Sequence, residues 1–166
     1  MATQGCLCGY YTDPSRQCTC TGQQIQKYMA KISGPLLDRI DLHIEVPAVK
    51  YRELASKENG EGSERIRARV ICARDIQAHR FKGRKGLYAN ADMQSKEIRE
   101  FCGLDSAGED LLKMAITKLG LSARAYDRIL KVGRTIADMA DSTDIRPEHV
   151  SEAIQYRSLD RNMPGI

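Results

Sequence analysis

The sequence has no tryptophan, two phenylalanines and five prolines in 166 residues, and only 5% of it is aromatic, so the core must be built on aliphatic side chains. It has no apolar run near the roughly 18 residues that cross a bilayer, which excludes a helical membrane protein. Several enzyme signatures are also missing. There is no G-x-x-x-x-G-K-[ST] phosphate loop, no G-x-G-x-x-G after a strand, no G-x-S-x-G elbow and no H-E-x-x-H pair. The three histidines, His43, His79 and His149, lie far apart on different expected elements. Each reads as a surface or internally satisfied residue rather than as a base or a ligand. No complete active site can be assembled from these residues. Met1–Cys8 has neither the basic start nor the long apolar run of a signal peptide, and a cytoplasmic globular protein is the expectation.

What is present is a chain 42% hydrophobic, too apolar for disorder and large enough for one domain or a small domain plus a piece of another. Its net charge of +4 says little alone, but its distribution says more. Between Arg65 and Lys85 stand eight basic residues (Arg65, Arg67, Arg69, Arg74, Arg80, Lys82, Arg84, Lys85) against Asp75, so this segment carries +7 and the remainder −3. Such a block fits either a solvated helix face running into a loop or a surface for a phosphate-bearing partner.

Four of the six cysteines, Cys6, Cys8, Cys18 and Cys20, fall within 15 residues as two C-x-C pairs nine residues apart. A tight thiol cluster in a cytosolic chain suggests metal before disulfides, and two close pairs on a hairpin-like loop can supply the tetrahedral thiolate set of structural zinc. The one-residue spacing is tighter than the usual two to four. A reduced cysteine-rich loop and a redox pair therefore stay open beside zinc. Cys72 and Cys102 stand alone in helical patterns and read as buried thiols.

Along the chain, the first twenty residues are rich in turn formers. Thr21 and Gln24 then form a capping box for a helix carrying Ile25, Tyr28, Met29 and Ile32 on one face, which ends at Ser33-Gly34-Pro35. Asp41 to Val46 alternates polar and apolar residues, as in a half-buried strand, yet no sheet partner is apparent. Lys57 to Ser63 is a polar, Gly-containing linker and the best domain boundary. Helices follow. The first is capped by Ser63, buries Ile66, Val70, Ala73 and Ile76 or Gln77, and runs to about Arg80. Residues 82–92 are expected as an exposed basic loop, and Ser95–Cys102 as a short helix. A box from Ser106 to Glu109 starts the next helix, which ends at Gly120. Ser122 caps a helix with Tyr126, Ile129, Leu130, Gly133, Ile136, Ala137 and Ala140 on one side. Pro147 opens the last at its first position, with Ile145 and Val150 as a hydrophobic staple. Residues 63–157 are thus predicted to form a bundle of four or five helices.

Two arginines hold telling positions. Arg124 lies just inside a helix N-terminus, where free N–H groups favour an anion, though an ordinary surface residue of the first turn is the simpler reading. Arg39 lies between Asp38 and Asp41 ahead of the expected strand, where an ordinary salt bridge to either aspartate is the simpler reading.

The run Ser33-Gly-Pro-Leu-Leu-Asp-Arg-Ile-Asp-Leu-His-Ile-Glu-Val-Pro47 resembles the end of the ATPase core in magnesium-chelatase-like AAA+ proteins, closest to the competence-associated ComM/YifB type. The four-cysteine loop with Gly9-Tyr10-Tyr11-Thr12-Asp13-Pro14 is similar to the same branch. So is the run Leu119 to Asp138 (LGLSARAYDRILKVGRTIAD), continued in Arg146 to Arg157 (RPEHVSEAIQYR). Three separated motifs in the right order cover nearly the whole chain, Ala2 to Arg157.

The resemblance implies a mainly α fold: residues 1–56 as the C-terminal end of the α/β ATPase core, and residues 63–157 as a helical lid domain. It implies that Arg39 is an arginine finger for a neighbouring subunit's nucleotide and that Arg124 is the sensor-2 residue of the lid. Gln4 stands at the sensor-1 position, where the family has Asn followed by Pro; here Gln4 and Gly5 occupy those places, and Leu7 replaces a Pro between the first cysteines. ATP and Mg2+ are implied as cofactors of the full-length protein, with Zn2+ a candidate for the thiols. The partners implied are the protein's own ATPase core, neighbouring subunits of a homohexamer, and DNA, in branch migration during competence; no membrane is involved. Arg80, Lys82, Arg84 and Lys85 are the candidate DNA-facing residues. Walker A and Walker B would lie upstream, so the chain by itself is expected not to hydrolyse ATP. Two other readings stand beside this one: a stand-alone zinc-stabilised DNA-binding module and a helical adaptor.

Overall fold

Capping chemistry places most of the helices. Thr21 accepts from the Gln24 backbone at 3.3 Å while Gln24 Oε1 accepts from the Thr21 backbone at 2.9 Å, which starts α1 (Gly22–Met29). A computed structural model describes residues 5–11, 13, 15–47, 49 and 60–157. Gln4, Thr12, Pro14 and residues 57–59 of the expected linker lie outside the described residues. After α1 come α2 (Gly34–Leu37), α3 (Ser63–Arg80), a 3-10 turn (Asn90–Asp92), α4 (Ser95–Phe101), α5 (Ser106–Leu119), α6 (Ala123–Met139) and α7 (Pro147–Gln155).

Among the described residues there is no strand; Leu104 and Ile145 form an isolated parallel bridge. The alternating segment 41–46 is irregular. Leu42, Ile44 and Val46 are 45%, 65% and 82% exposed, and His43 is the residue turned inward. Alternation makes a strand only where a neighbouring strand takes up the ladder hydrogen bonds, and none is available to this segment among the described residues. Fold class is otherwise as the sequence implies: mainly α.

α6 is the central helix, packing against α7, α3, α4 and the 3-10 turn. The core gathers Phe81, Met93, Ile98, Cys102, Leu112, Ile129, Leu130, Ala137, Ile145, Val150 and Ala153. Gly120 ends α5 in the left-handed region at φ 62°, a conformation that a Cβ penalises. Ile145 and Val150 are both buried across the start of α7, as a staple requires.

Details of the periodicity reading change. Asp105, not Ser106, caps α5, accepting from Gly108 N at 2.7 Å, and Gly62 precedes α3 in place of a Ser63 cap. On α6 the buried face carries Ala125, Arg134 and Asp138, while Tyr126 and Ala140 are exposed. Residues 63–72 of α3 are exposed throughout, Ile66 and Val70 included, and burial starts at Ala73. Cys72 is exposed as well, whereas Cys102 is buried as expected.

The basic loop is also less open than expected. Phe81 and Asn90 are buried, and Asn90 ties the loop to α6 through Thr135 at 3.1 Å and Asp138 at 2.8 Å. Asp138, fully buried, also pairs with Arg80 from α3 and with Arg134 at 3.0 Å. Arg134 spends its remaining N–H groups on the carbonyls of Thr143 and Ser142 at 2.7 and 2.6 Å. This network satisfies charges that an apolar core could not hold unpaired.

Candidate functional site

The geometry that matters lies where the segment after α2 crosses the ends of α6 and α7. Ser33 and Pro35 set up the short α2, and its last turn is prolonged by Arg39 N and Ile40 N donating to the Leu36 and Leu37 carbonyls at 3.0 and 2.9 Å. Leu37 is buried, which anchors the turn. Four attachments then hold residues 38–43 to the bundle. Ser122 Oγ donates to both Asp38 oxygens at 3.1 Å while accepting from Ala125 N at 3.1 Å. Arg157, 1% exposed, donates to the Ile40 carbonyl and lies 3.7 Å from Asp38. Arg128 pairs with Asp41, and His43 N donates to the Tyr156 carbonyl at 2.8 Å.

These attachments decide the fate of Arg39. Both aspartates beside it are engaged elsewhere, so the expected local salt bridge does not form. Arg39 is exposed and has no ion pair among the described residues. Arg124 is likewise exposed and unpaired among the described residues. The α6 N-terminus beside it is not vacant, because the Asp38 carboxylate faces it through the capping serine. Burial and the nearby Arg157 hold the Arg128 guanidinium below its ordinary pKa, against the pull of Asp38. The segment carrying Arg39 and the helix carrying Arg124 are thereby coupled, and two free guanidiniums stand close in sequence to the coupling point.

The four-cysteine set does come together. Sγ of Cys6 lies 3.3 Å from Cys8 and 3.8 Å from Cys18, with Cys8 and Cys18 3.5 Å apart. Including Cys20, all four sulfurs lie within 4.8 Å of one another, and none is in a disulfide. The backbone N–H groups of Tyr10 and Thr19 beside Cys8 hold its thiol down to about 5. Cys18, although the Cys20 backbone lowers it, is pushed up to about 12 by burial and by the Cys8 and Cys6 sulfurs.

The candidate DNA residues divide. Arg80 is committed to Asp138 and Asn90 inside the bundle, and Arg84 to Glu100 with its guanidinium 4.8 Å above the Phe101 ring. Lys82 and Lys85 are exposed, and with Tyr88, 72% exposed, they line a shallow cleft of about 420 Å³. The sequence reading missed Tyr88; an aromatic placed just after a Lys-Gly-Arg-Lys-Gly run was the available signal. The histidines stay apart: His149 accepts from the Arg146 backbone at 3.0 Å as part of the α7 cap, and His79 Nδ1 lies 2.9 Å from the Asp75 carbonyl.

The structure thus presents a helical bundle with a preceding segment docked on it and two arginines, Arg39 and Arg124, that are unpaired among the described residues. The chain belongs to the magnesium chelatase subunit ChlI family. The family model for the subunit matches residues 1–54, and the model for its C-terminal domain matches residues 60–157. The chain is 42% identical to competence protein ComM of Haemophilus influenzae over 92% of its own length and 29% of that protein's. It is 43% identical to the protein YifB of Escherichia coli over 86% of its length and 27% of the relative's, and 31% identical to an uncharacterized protein of Mycobacterium bovis over 95% and 30%. It thus spans less than a third of these curated relatives. No helix among the described residues is long and apolar enough to cross a membrane.

Proposed function

We propose that this chain is the C-terminal portion of a magnesium-chelatase-like AAA+ ATPase, a cytoplasmic DNA motor that works as a homohexameric ring. Residues 1–56 close the ATPase core and residues 63–157 form its lid. Arg39 is the arginine finger: a planar cation delivered to the γ-phosphate held by the adjacent subunit, where charge spreads over the phosphoryl oxygens in the transition state. Arg124 is the sensor-2 residue, placed by α6 to meet the nucleotide from the lid. ATP and Mg2+ are bound by the core of the full-length protein, with Gln4 at the sensor-1 position. DNA branch migration in competence is the process this motor serves, a reading supported by the likeness to ComM.

The observation that carries the reading is the freedom of Arg39. Asp38 and Asp41 are held by Ser122, Arg157 and Arg128, so the guanidinium between them is left for a partner outside the described residues. The docking of this segment on α6 supports a joint response, because a lid movement at Arg124 would carry Arg39 with it.

The test is ATP turnover by the full-length protein with Arg39→Ala and Arg124→Ala. Arg39→Ala is expected to lower kcat by about 10³ or more while nucleotide binding persists, the scale of a lost arginine finger. Unchanged turnover in both variants rejects the assignment. A mixed ring in which only some subunits carry Arg39→Ala should fail at the adjacent sites, which separates delivery in trans from action within one subunit. For the proposed DNA contact we favour Lys82, Lys85 and Tyr88, whose side chains are exposed.

A further inference from the structure

We propose that Cys6, Cys8, Cys18 and Cys20 form a mononuclear tetrathiolate zinc site that staples the loop ahead of α1. The spacing of the sulfurs is the first ground. A tetrahedron with zinc–sulfur bonds of about 2.3 Å separates its corners by about 3.8 Å. Three Sγ pairs lie at 3.3, 3.5 and 3.8 Å, and the whole set lies within 4.8 Å. A cluster of several irons would hold its ligands farther apart, and a disulfide would bring one pair to about 2.05 Å. Four sulfurs around one point suit a single ion with a closed shell, which is a structural site with no open position.

The second ground is independent of the sulfur geometry. Among the described residues from 5 to 32, Cys6 is the one buried hydrophobic side chain, 1% exposed, and α1 buries none. Within this chain the segment has no buried apolar set of its own among the described residues, and an ion at the thiols would serve as its local staple. The loop is shaped around the thiols. Gly5 and Gly9 take φ of 73° and 81°, and Gly9 N donates to the Cys6 carbonyl at 3.3 Å, closing the turn between the first two sulfurs. Cys20 is followed at once by Thr21, the cap of α1, so an ion at the four sulfurs fixes where that helix begins. Zinc suits the set because thiolates are soft ligands and its filled d shell accepts tetrahedral geometry at no cost.

The site is independent of the ATPase reading, and its test uses no nucleotide. The 166-residue chain, purified under reducing conditions, is analysed for zinc and iron by mass spectrometry of the elements. About one zinc per chain is expected, surviving gel filtration and released when the thiols are blocked by an organomercurial. Cys6→Ser with Cys18→Ser should reduce bound zinc to background while the helical signal of residues 63–157 persists. A second measurement needs no variant: the metal-free native chain is titrated with Co2+, and intense bands of tetrahedral thiolate coordination should saturate at one equivalent. Hydrogen exchange should show residues 5–20 protected by zinc and the bundle indifferent to it. Absence of a tetrahedral cobalt spectrum overturns the proposal, as does bound iron in place of zinc. So does conversion of two of these thiols to a disulfide in a chain that takes up no metal.

Discussion

Ser122 donates its hydroxyl to both carboxylate oxygens of Asp38 at 3.1 Å, joining positions 84 residues apart in the chain. The same oxygen caps α6 by accepting from Ala125 N, so one side chain both starts the helix and holds the arginine-bearing segment against it. Ser122→Ala therefore loses a cap and a tether together. Loss of a serine cap costs about 1 kcal/mol, and the tether should add to it. In urea denaturation of the chain, Ser122→Ala and Asp38→Ala should each lower the midpoint, and the double variant should cost less than their sum. Strict additivity would show that the two residues do not act through each other.

The buried carboxylate of Asp138 makes a sharper prediction. It accepts from Arg80, Arg134 and Asn90 with its side chain fully enclosed. Asp138→Ala leaves two largely buried guanidiniums without their counter-charge, and breaking such a set costs about 3–5 kcal/mol. The partly exposed pair of Arg84 in the basic loop and Glu100 on α4 offers a control. Arg84 holds the Glu100 carboxyl below its ordinary range, yet solvent screens the pair, so Glu100→Gln should change stability far less than Asp138→Ala. Thermal unfolding of both variants checks the contrast. Equal losses would mean that burial does not govern this network.

Much of this arrangement was legible beforehand, and the misses share a cause. Caps at Thr21 and Ser122, and the start of the last helix at Pro147 with its Ile145–Val150 staple, depend on residues three to five apart, so local pattern reading finds them. The core face of α6 was read nearly in register, but Arg134 and Asp138 were not read as core, because burial of charge depends on a partner 58 residues away, Arg80. The same limit applied to Arg39. Its neighbours in sequence suggested a local salt bridge, and only the fold shows that Ser122, Arg157 and Arg128 take those neighbours away. The alternation over 41–46 is genuine, but a strand is a property of two segments, and one segment's pattern cannot show whether its partner is at hand. The upstream half of α3 failed for a like reason: periodicity marks which face would be buried, not whether anything covers it.

The basic loop yields a prediction with internal contrast. Lys82 and Lys85 are open to solvent, while Arg80 and Arg84 are already paired within the bundle. If the loop meets DNA in the full-length protein, Lys82→Glu with Lys85→Glu should weaken binding and lower the salt dependence by about one unit of slope per lost phosphate contact. Tyr88→Ala should weaken single-strand binding by about 1–3 kcal/mol if its exposed ring stacks on a base. Arg84→Ala should matter far less. Salt titrations of DNA affinity distinguish these, and an unchanged slope in the double lysine variant removes the loop from the DNA surface.

Cys102 links burial to pH dependence. It sits in the core near Arg134, and burial pushes its thiol up to about 11, against the lowering effect of Arg134 and Arg80. An unfolded cysteine ionises near about 8.5. Below that value both states hold the proton, and the thiol's contribution to stability is fully present. Between there and about 11 the unfolded chain sheds its proton while the folded one keeps it, so this contribution declines as pH rises. Denaturation midpoints of the native chain and of Cys102→Ala, compared from pH 7 to pH 10, should therefore converge as pH rises. Alkylation gives an independent reading on the same thiol. At neutral pH the exposed Cys72 should react quickly with iodoacetamide, whereas Cys102 should react only at the rate at which the bundle opens. Equal labelling of the two in the folded chain would place Cys102 outside the core and remove the basis of the pH effect.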